Sequence, residues 1–474
     1  MAANAADVAD EPLDPPRDGR GGSIDPRHPG PRHARRRLWP STTFVLAVII
    51  VVQVGTIVVF GSITAIRYPL WSPVDEGAHY DYVASIAEHA ALPVLGKTPA
   101  SEQELAIRQG VYPRHTTIVV SKFGLGGLSY EAFQPPLYYV VASPVFRLSG
   151  NYRTKAYLLR FFGLVLLVAA VALLARLSRH VLKKRWLYGL SVGLVVFMMP
   201  GVIVRSVTIS NVNLAIPLVI ACVSEMWIAW ERKSTRRLLI AGVLVGLCVL
   251  TDLYLVELVP VLALVAIDIA RDRRTRVDSL VAGATGLVAF LIVLPWLIFN
   301  EIEYHALTAS AIAKREQLAV VNPDHLRYTL GQLPGLTTSS LFSPLLPQEW
   351  GGFLPAHQVL SQLATDFQVL LIPGSIVLAV ALGRRLLTTG YWILFAPWVA
   401  NLVLCWYIDI GQQWETGSMV ARYMYPTLPL LALFLAAAAL KVLRSPQLIL
   451  AMTGTASIFL IGLWASLVPI IHGT

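Results

Sequence analysis

Charge is scarce in this sequence. Only 14% of its 474 residues are Asp, Glu, Lys or Arg while 55% are hydrophobic, a balance too apolar for an ordinary soluble domain. A mean hydropathy of +0.62 points the same way. Cysteine is nearly absent as well: Cys222, Cys248 and Cys405 are the whole set. All three sit in apolar runs, far apart, which excludes a disulfide framework or thiolate metal site and leaves them as small buried hydrophobes. The cations outnumber the anions, 38 Lys and Arg against 28 Asp and Glu. They fall, however, in short clusters between apolar runs, as in cytoplasmic membrane loops. A polytopic membrane protein is what remains, with no nucleic acid as partner.

Residues 1–37 are rich in Pro, Gly, Asp and Arg and poor in large apolar side chains, so a disordered cytoplasmic tail is expected ahead of a transmembrane domain over 38–474. The tail ends in RHARRR at 32–37, which holds this end of the chain inside. The apolar run 42–66 exceeds a secretory h-region and has no small-residue cleavage site, so it reads as an uncleaved first span. Residues 67–134 contain nothing able to cross a bilayer and form a first outer loop. The next segment, YEAFQPPLYYVVASPVF at 130–146, is short and interrupted by proline, and is expected to pack at the outer surface. Beyond it, apolar runs alternate with basic clusters at 176–185, 231–237, 271–276, 384–385 and 441–444. The pattern predicts an all-α bundle of about eleven transmembrane helices (roughly 10–13). A second long outer loop occupies 300–365, with a surface helix expected at 309–318. No exact internal repeat is visible, which weighs against a transporter built from inverted halves.

Ionisable groups crowd into one stretch, YPLWSPVDEGAHYDYVASIAEHAALPVLGK at 68–97. Pro73 suits a helix start, and Asp75 and Glu76 then fall in the first turn, where acids complement the helix dipole. Asp75 and His79 lie one turn apart on one face, with Asp81 and Tyr82 further round. Two carboxylates at a helix start beside a membrane form a candidate proton-accepting site. Acids in that position also serve as plain dipole partners. His79 and His89 lack a third ligand at zinc spacing. Asp75, Glu76 and Asp81 lack the run of oxygens of a calcium or magnesium site. No metal or other cofactor is expected, although a divalent ion is left open.

PVDEGAHYDYVASIAEHAALPV followed by EAFQPPLYY resembles the first outer loop of the GT-C glycosyltransferase superfamily. The similarity is greatest to bacterial relatives of protein O-mannosyltransferases and lipid A aminoarabinose transferases. SNVNLAI at 210–216, GLCVLTD at 246–252, PWLIFNEIEY at 295–304 and ARYMYPTLPLLAL at 421–433 continue it. The resemblance implies a GT-C-like bundle in a bacterial cytoplasmic membrane. It also implies transfer of a sugar from a polyprenyl-phosphate-linked donor to a hydroxyl acceptor (glycan, lipid or protein) on the outer face, with inversion. Asp75 or Glu76 would then be the catalytic carboxylate. Arg422 and Tyr423 would meet the donor phosphate, with Arg205 as second choice and Arg147 and Arg160 as further candidates. His79, Tyr82, Gln134 and Asn211 would line the substrate.

That chemistry suits the residues independently of the name. A hydroxyl is a weak nucleophile until a carboxylate takes its proton; a lipid phosphate already leaves well and asks for a guanidinium fork. Two departures stand out. Val212 occupies a position where relatives carry Asp, which puts a second carboxylate in doubt. Asp252 stands where lysine is frequent; an acid buried in a thin span is a functional candidate, but the short outer turn favours its being solvated. The rivals are a transporter or flippase of a lipid-linked sugar, with charges at span centres, and a non-catalytic cell-envelope assembly protein on the same scaffold.

Overall fold

The computed structural model describes residues 42–68, 70–71, 76–101, 129–272, 276–308, 374–412, 423–443 and 445–473. The tail 1–37, Asp75, Arg422 and the surface helix expected at 309–318 lie outside them.

The described elements are helices. In order they are α1 (Thr42–Arg67), α2 (Glu76–His89), α3 (Leu137–Phe146), α4 (Tyr152–Leu182), α5 (Trp186–Met198), α6 (Pro200–Val207), α7 (Val212–Arg232), α8 (Thr235–Val249), α9 (Leu258–Asp272), α10 (Arg276–Tyr304), α11 (Trp392–Gln412), α12 (Leu428–Val442) and α13 (Pro446–Gly473). Short 3₁₀ turns at Tyr130–Phe133 and Leu253–Glu257 precede α3 and α9. Six helical stretches are long and apolar enough to cross a membrane: Thr42–Arg67, Tyr152–Met198, Val212–Arg232, Leu253–Arg271, Gly283–Tyr304 and Pro446–Val468. Leu137–Phe146, Trp392–Cys405 and Leu428–Val442 are apolar but shorter. The 10 residues of α3 extend only about 15 Å, half a hydrocarbon core. On length alone that helix does not cross.

Local chemistry sets the boundaries. Asn151 caps α4 by accepting from the backbone N–H groups of Arg153 and Thr154 at 2.9 and 3.3 Å, and Ser234 caps α8 through Arg237. Pro200 breaks the chain after α5 and starts α6, where its missing N–H costs nothing. Helix α7 is the centre of the bundle, with α4 on one side and α8 on another; α8 in turn packs along α10. α5 lies against α1, α4 and α12. Gln53 of α1 crosslinks this group, donating to the Ser191 carbonyl at 2.9 Å and to Ser457 Oγ of α13 at 3.0 Å.

A single glycine sets the spacing of three helices. A Cβ on Gly163 of α4 would stand 2.5 Å from the Ser206 carbonyl oxygen and 2.7 Å from Asn213 Nδ2. Only a glycine lets α4 lie so near α6 and α7. Gly163→Ala is therefore expected to force these helices apart and cost about 1–3 kcal/mol, seen as a lower melting temperature of the purified protein.

The ends of the helices differ in character. α4 and α7 begin beside α2 and α3 and finish in Arg179–His180 and Arg232, while α8 starts at Thr235–Arg237 and returns. The basic end carries its own ion pairs: Glu225 joins Arg176 at 2.5 Å and Arg237 at 2.9 Å, Asp268 joins Lys233 at 2.9 Å, and Lys183 joins Glu231. The acid-rich stretch belongs to the opposite end.

Candidate functional site

The site grows from the start of α2. Glu76 is its first residue, and its carboxylate is fully enclosed. Arg160 of α4 grips it as a fork, Nε to Oε1 at 2.7 Å and Nη2 to Oε2 at 2.6 Å, with 0% of either side chain exposed. The backbone N–H groups of Trp71 and Ile209 donate to it at 3.0 and 3.2 Å. Arg160 Nη1 also donates to the carbonyls of Tyr68 at 2.6 Å and Ala65 at 3.3 Å. One buried pair thus ties together the end of α1, the start of α2, the first third of α4 and the turn before α7. A carboxylate offers about four lone-pair positions, and here four donors occupy them.

Two sequence expectations change accordingly. Arg160, a candidate for the donor phosphate, is buried under Glu76 instead. Arg147, another, donates its Nε to the Ala87 carbonyl at 2.8 Å and pins the end of α2. Asp81 accepts from the Ser101 N–H at 2.7 Å and so closes the loop after α2.

The next layer is aromatic. Tyr82 stacks on Tyr139 of α3 with ring centroids 3.8 Å apart, and its hydroxyl donates to the Gln134 carbonyl at 3.2 Å. His79 Nδ1 and the Tyr139 hydroxyl share a hydrogen bond of 2.8 Å. Tyr80, Trp71 and Phe146 close the cluster behind them, Tyr80 standing edge-on to Trp71 at 5.0 Å and 5.1 Å from Phe146. Burial first, then Tyr304 and the nearby Glu131 carboxylate, raise the Tyr82 phenol well above its ordinary value. It therefore acts as a donor at neutral pH.

The turn at Leu250–Tyr254 is the hub. Its Leu250 carbonyl accepts from the Leu137 N–H at 2.9 Å, which seats the QPPLYY segment. Its Thr251 carbonyl accepts from Asn211 Nδ2 at 3.1 Å, and the same amide reaches Gln134 Oε1 at 3.4 Å. Tyr254 stacks on Tyr423 at 3.8 Å. Asp252 caps the 3₁₀ turn through the Tyr254 N–H at 3.0 Å and is 2% exposed. The expectation that Asp252 is solvated is overturned: the QPPLYY segment and α7 cover a turn that length alone left open to water. Asn211 and, through it, Gln134 meet this hub, Tyr423 stacks on its Tyr254, and His79 and Tyr82 lie against Tyr139 of the adjoining helix. Arg205 is partly exposed on α6, its carbonyl accepting from Thr208 Oγ1 at 3.4 Å.

One acid was missed. Glu131, in the 3₁₀ turn just before Gln134, is 4% exposed. The only signal for it in the sequence is its place in EAFQPP, ahead of the two prolines. Among the described residues no three His, Cys, Asp or Glu side chains come together as a metal-ligand set.

Residues 133–299 match the family described as dolichyl-phosphate-mannose-protein mannosyltransferase. The match takes in Gln134, Arg160, Arg205, Asn211 and Asp252 and leaves Asp75–Glu76 and Arg422–Tyr423 on either side. It bears out the resemblance to membrane glycosyltransferases carried by the motifs within it. Among solved structures, the chain is similar to the oligosaccharyltransferase of Archaeoglobus fulgidus in complex with zinc and sulfate, at 16% identity and a TM-score of 0.49, over 90% of this chain and 53% of that one. It is also similar to ArnT of Cupriavidus metallidurans bound to undecaprenyl phosphate, at 14% identity and a TM-score of 0.38, over 85% of this chain and 78% of that one. The chain thus spans about half the length of the archaeal enzyme. No curated protein matches it by sequence.

Proposed function

We propose that this protein transfers a sugar from a polyprenyl-phosphate-linked donor to a hydroxyl acceptor on the outer face of a bacterial cytoplasmic membrane, with Asp75 as the base. The observation that carries the reading is the enclosed Glu76–Arg160 pair. It holds one half of the Asp-Glu doublet by four donors, one of them the Ile209 N–H of the turn that leads into Asn211. Glu76 has no lone pair left for a substrate hydroxyl. Asp75 is one peptide unit away, its Cα about 3.8 Å from that of Glu76. Glu76 is thereby a positioning residue and Asp75 the catalytic one. The acceptor hydroxyl loses its proton to Asp75 as its oxygen bonds the anomeric carbon, and the lipid phosphate departs with the electrons of the broken bond.

Helix polarity supports the outer location. The 21 residues of α7 cover about 31 Å, enough for a hydrocarbon core, and join the hub at one end to the basic clusters at the other. Basic ends face the cytoplasm. The family match over 133–299 supports a lipid-linked mannose-type donor in kind, without fixing the sugar.

Reconstituted vesicles given a labelled lipid-linked donor test the reading. A new covalent bond to the acceptor supports it; movement of the lipid without a new bond makes the protein a transporter, and neither makes it an assembly factor. Arg422→Ala is expected to raise the apparent donor KM roughly 10- to 100-fold, the loss of one charge-assisted contact to phosphate, with kcat little changed. An unchanged KM moves the phosphate to another cation, Arg205 first.

A further inference from the structure

A second buried carboxylate lies deeper in the bundle, outside the chemistry above. Glu257 ends the 3₁₀ turn that Asp252 begins, and it is 4% exposed. Its Oε2 accepts from Asn401 Nδ2 of α11, its one hydrogen-bond partner among the described residues. Two atoms of this pair are left over: Glu257 Oε1 and Asn401 Oδ1 are both buried and both lack a partner. They are the two acceptors on the two groups already joined. As an anion, Glu257 would keep both of them unsatisfied, in a region where an uncompensated charge is expensive. One proton on Oε1 makes it a donor to Asn401 Oδ1 and satisfies both atoms at once.

We infer that Glu257 is carried as an uncharged acid, joined to Asn401 by two antiparallel hydrogen bonds, and that this pair is a pH-sensitive latch between the hub turn and α11. The titratable groups facing it are an acid, a thiol and phenols. Asp252 stands at the other end of the same turn and contributes negative charge, Cys248 faces it from α8, and Tyr254, Tyr423 and Cys405 surround the neighbouring tyrosine stack. No Lys, Arg or His among the described residues pairs with Glu257. Ionisation removes the donor to Asn401 and sets a second anion beside Asp252, so the contact between the turn and α11 opens.

The sign of the linkage is fixed. A carboxyl that stays protonated when folded and ionises when unfolded makes the fold weaker as pH rises, from the ordinary Glu pKa up to its own. Glu257→Gln keeps both hydrogen bonds, because the amide donates where the acid did, and it removes the titration. The expected result is that the melting temperature of E257Q in lipid nanodiscs climbs steadily relative to wild type as the pH is raised from about 5. The underlying unfolding constants diverge by up to tenfold per pH unit, the limit for one proton. The wild-type protein with isotope-labelled glutamate should also show, at pH 7, the infrared carbonyl band of a protonated carboxyl, absent from E257Q. A gap that is flat or narrows with rising pH, or no such band in the wild type, overturns the latch. The band needs no variant to fold, and neither readout depends on sugar transfer.

Discussion

Asp75→Asn should abolish sugar transfer while leaving the protein inserted and folded, with a fall in rate of about 10²–10⁴-fold, the usual worth of a positioned general base. Asparagine matches aspartate in size and can still face a helix start, but it cannot take a proton. The anchorage beside it is untouched, since Glu76 keeps Arg160, Trp71 and Ile209. Donor affinity should therefore hold, because the phosphate is met by cations, and the loss should fall on kcat. Initial rates with labelled donor, beside a melting curve, separate these terms. Full activity in D75N would remove the proposed base and turn attention to Glu131 and Asp252, the other enclosed acids around the hub.

How far the sequence reaches into this structure depends on the kind of interaction. Apolar runs become helices because a bilayer leaves the backbone no other way to satisfy itself. The run at 42–66 appears as Thr42–Arg67. Gln134 and Asn211, which meet at the hub, each sit in a short polar motif between apolar runs, and such motifs can be read along the chain. Pairing was not legible. Glu76 and Arg160 are 84 positions apart, and nothing local says that an arginine near the start of a span turns inward to a carboxylate rather than outward to a phosphate. Asp252 shows the same limit in reverse, since a turn too short to bury itself is buried by Leu137 and Asn211 arriving from elsewhere. Glu257 and Asn401, 144 positions apart, were invisible for that reason too.

Arg160→Ala should be the most damaging substitution for the fold. It leaves Glu76 buried with two backbone donors in place of four and no counter-charge. Breaking a buried pair from one side costs about 3–5 kcal/mol, against a net stability of about 5–15 kcal/mol for a typical domain. The end of α1, the start of α2 and the turn at Ile209 all lose their common tie, so the outer layer should become protease-sensitive first. Arg160→Lys should not rescue it, because an ammonium cannot present the parallel fork that meets both carboxylate oxygens. The informative variant replaces both partners. Glu76→Leu with Arg160→Met removes both charges together, and an apolar pair of similar bulk recovers much of the lost stability. If the pair only holds the fold, transfer recovers with it. If the pair also fixes where Asp75 stands, the double variant melts near the wild type yet stays slow, with kcat depressed and donor KM nearly unchanged. That split is the outcome expected here, since a base displaced by about 1 Å can lose 10²-fold in rate without weakening the ground-state complex.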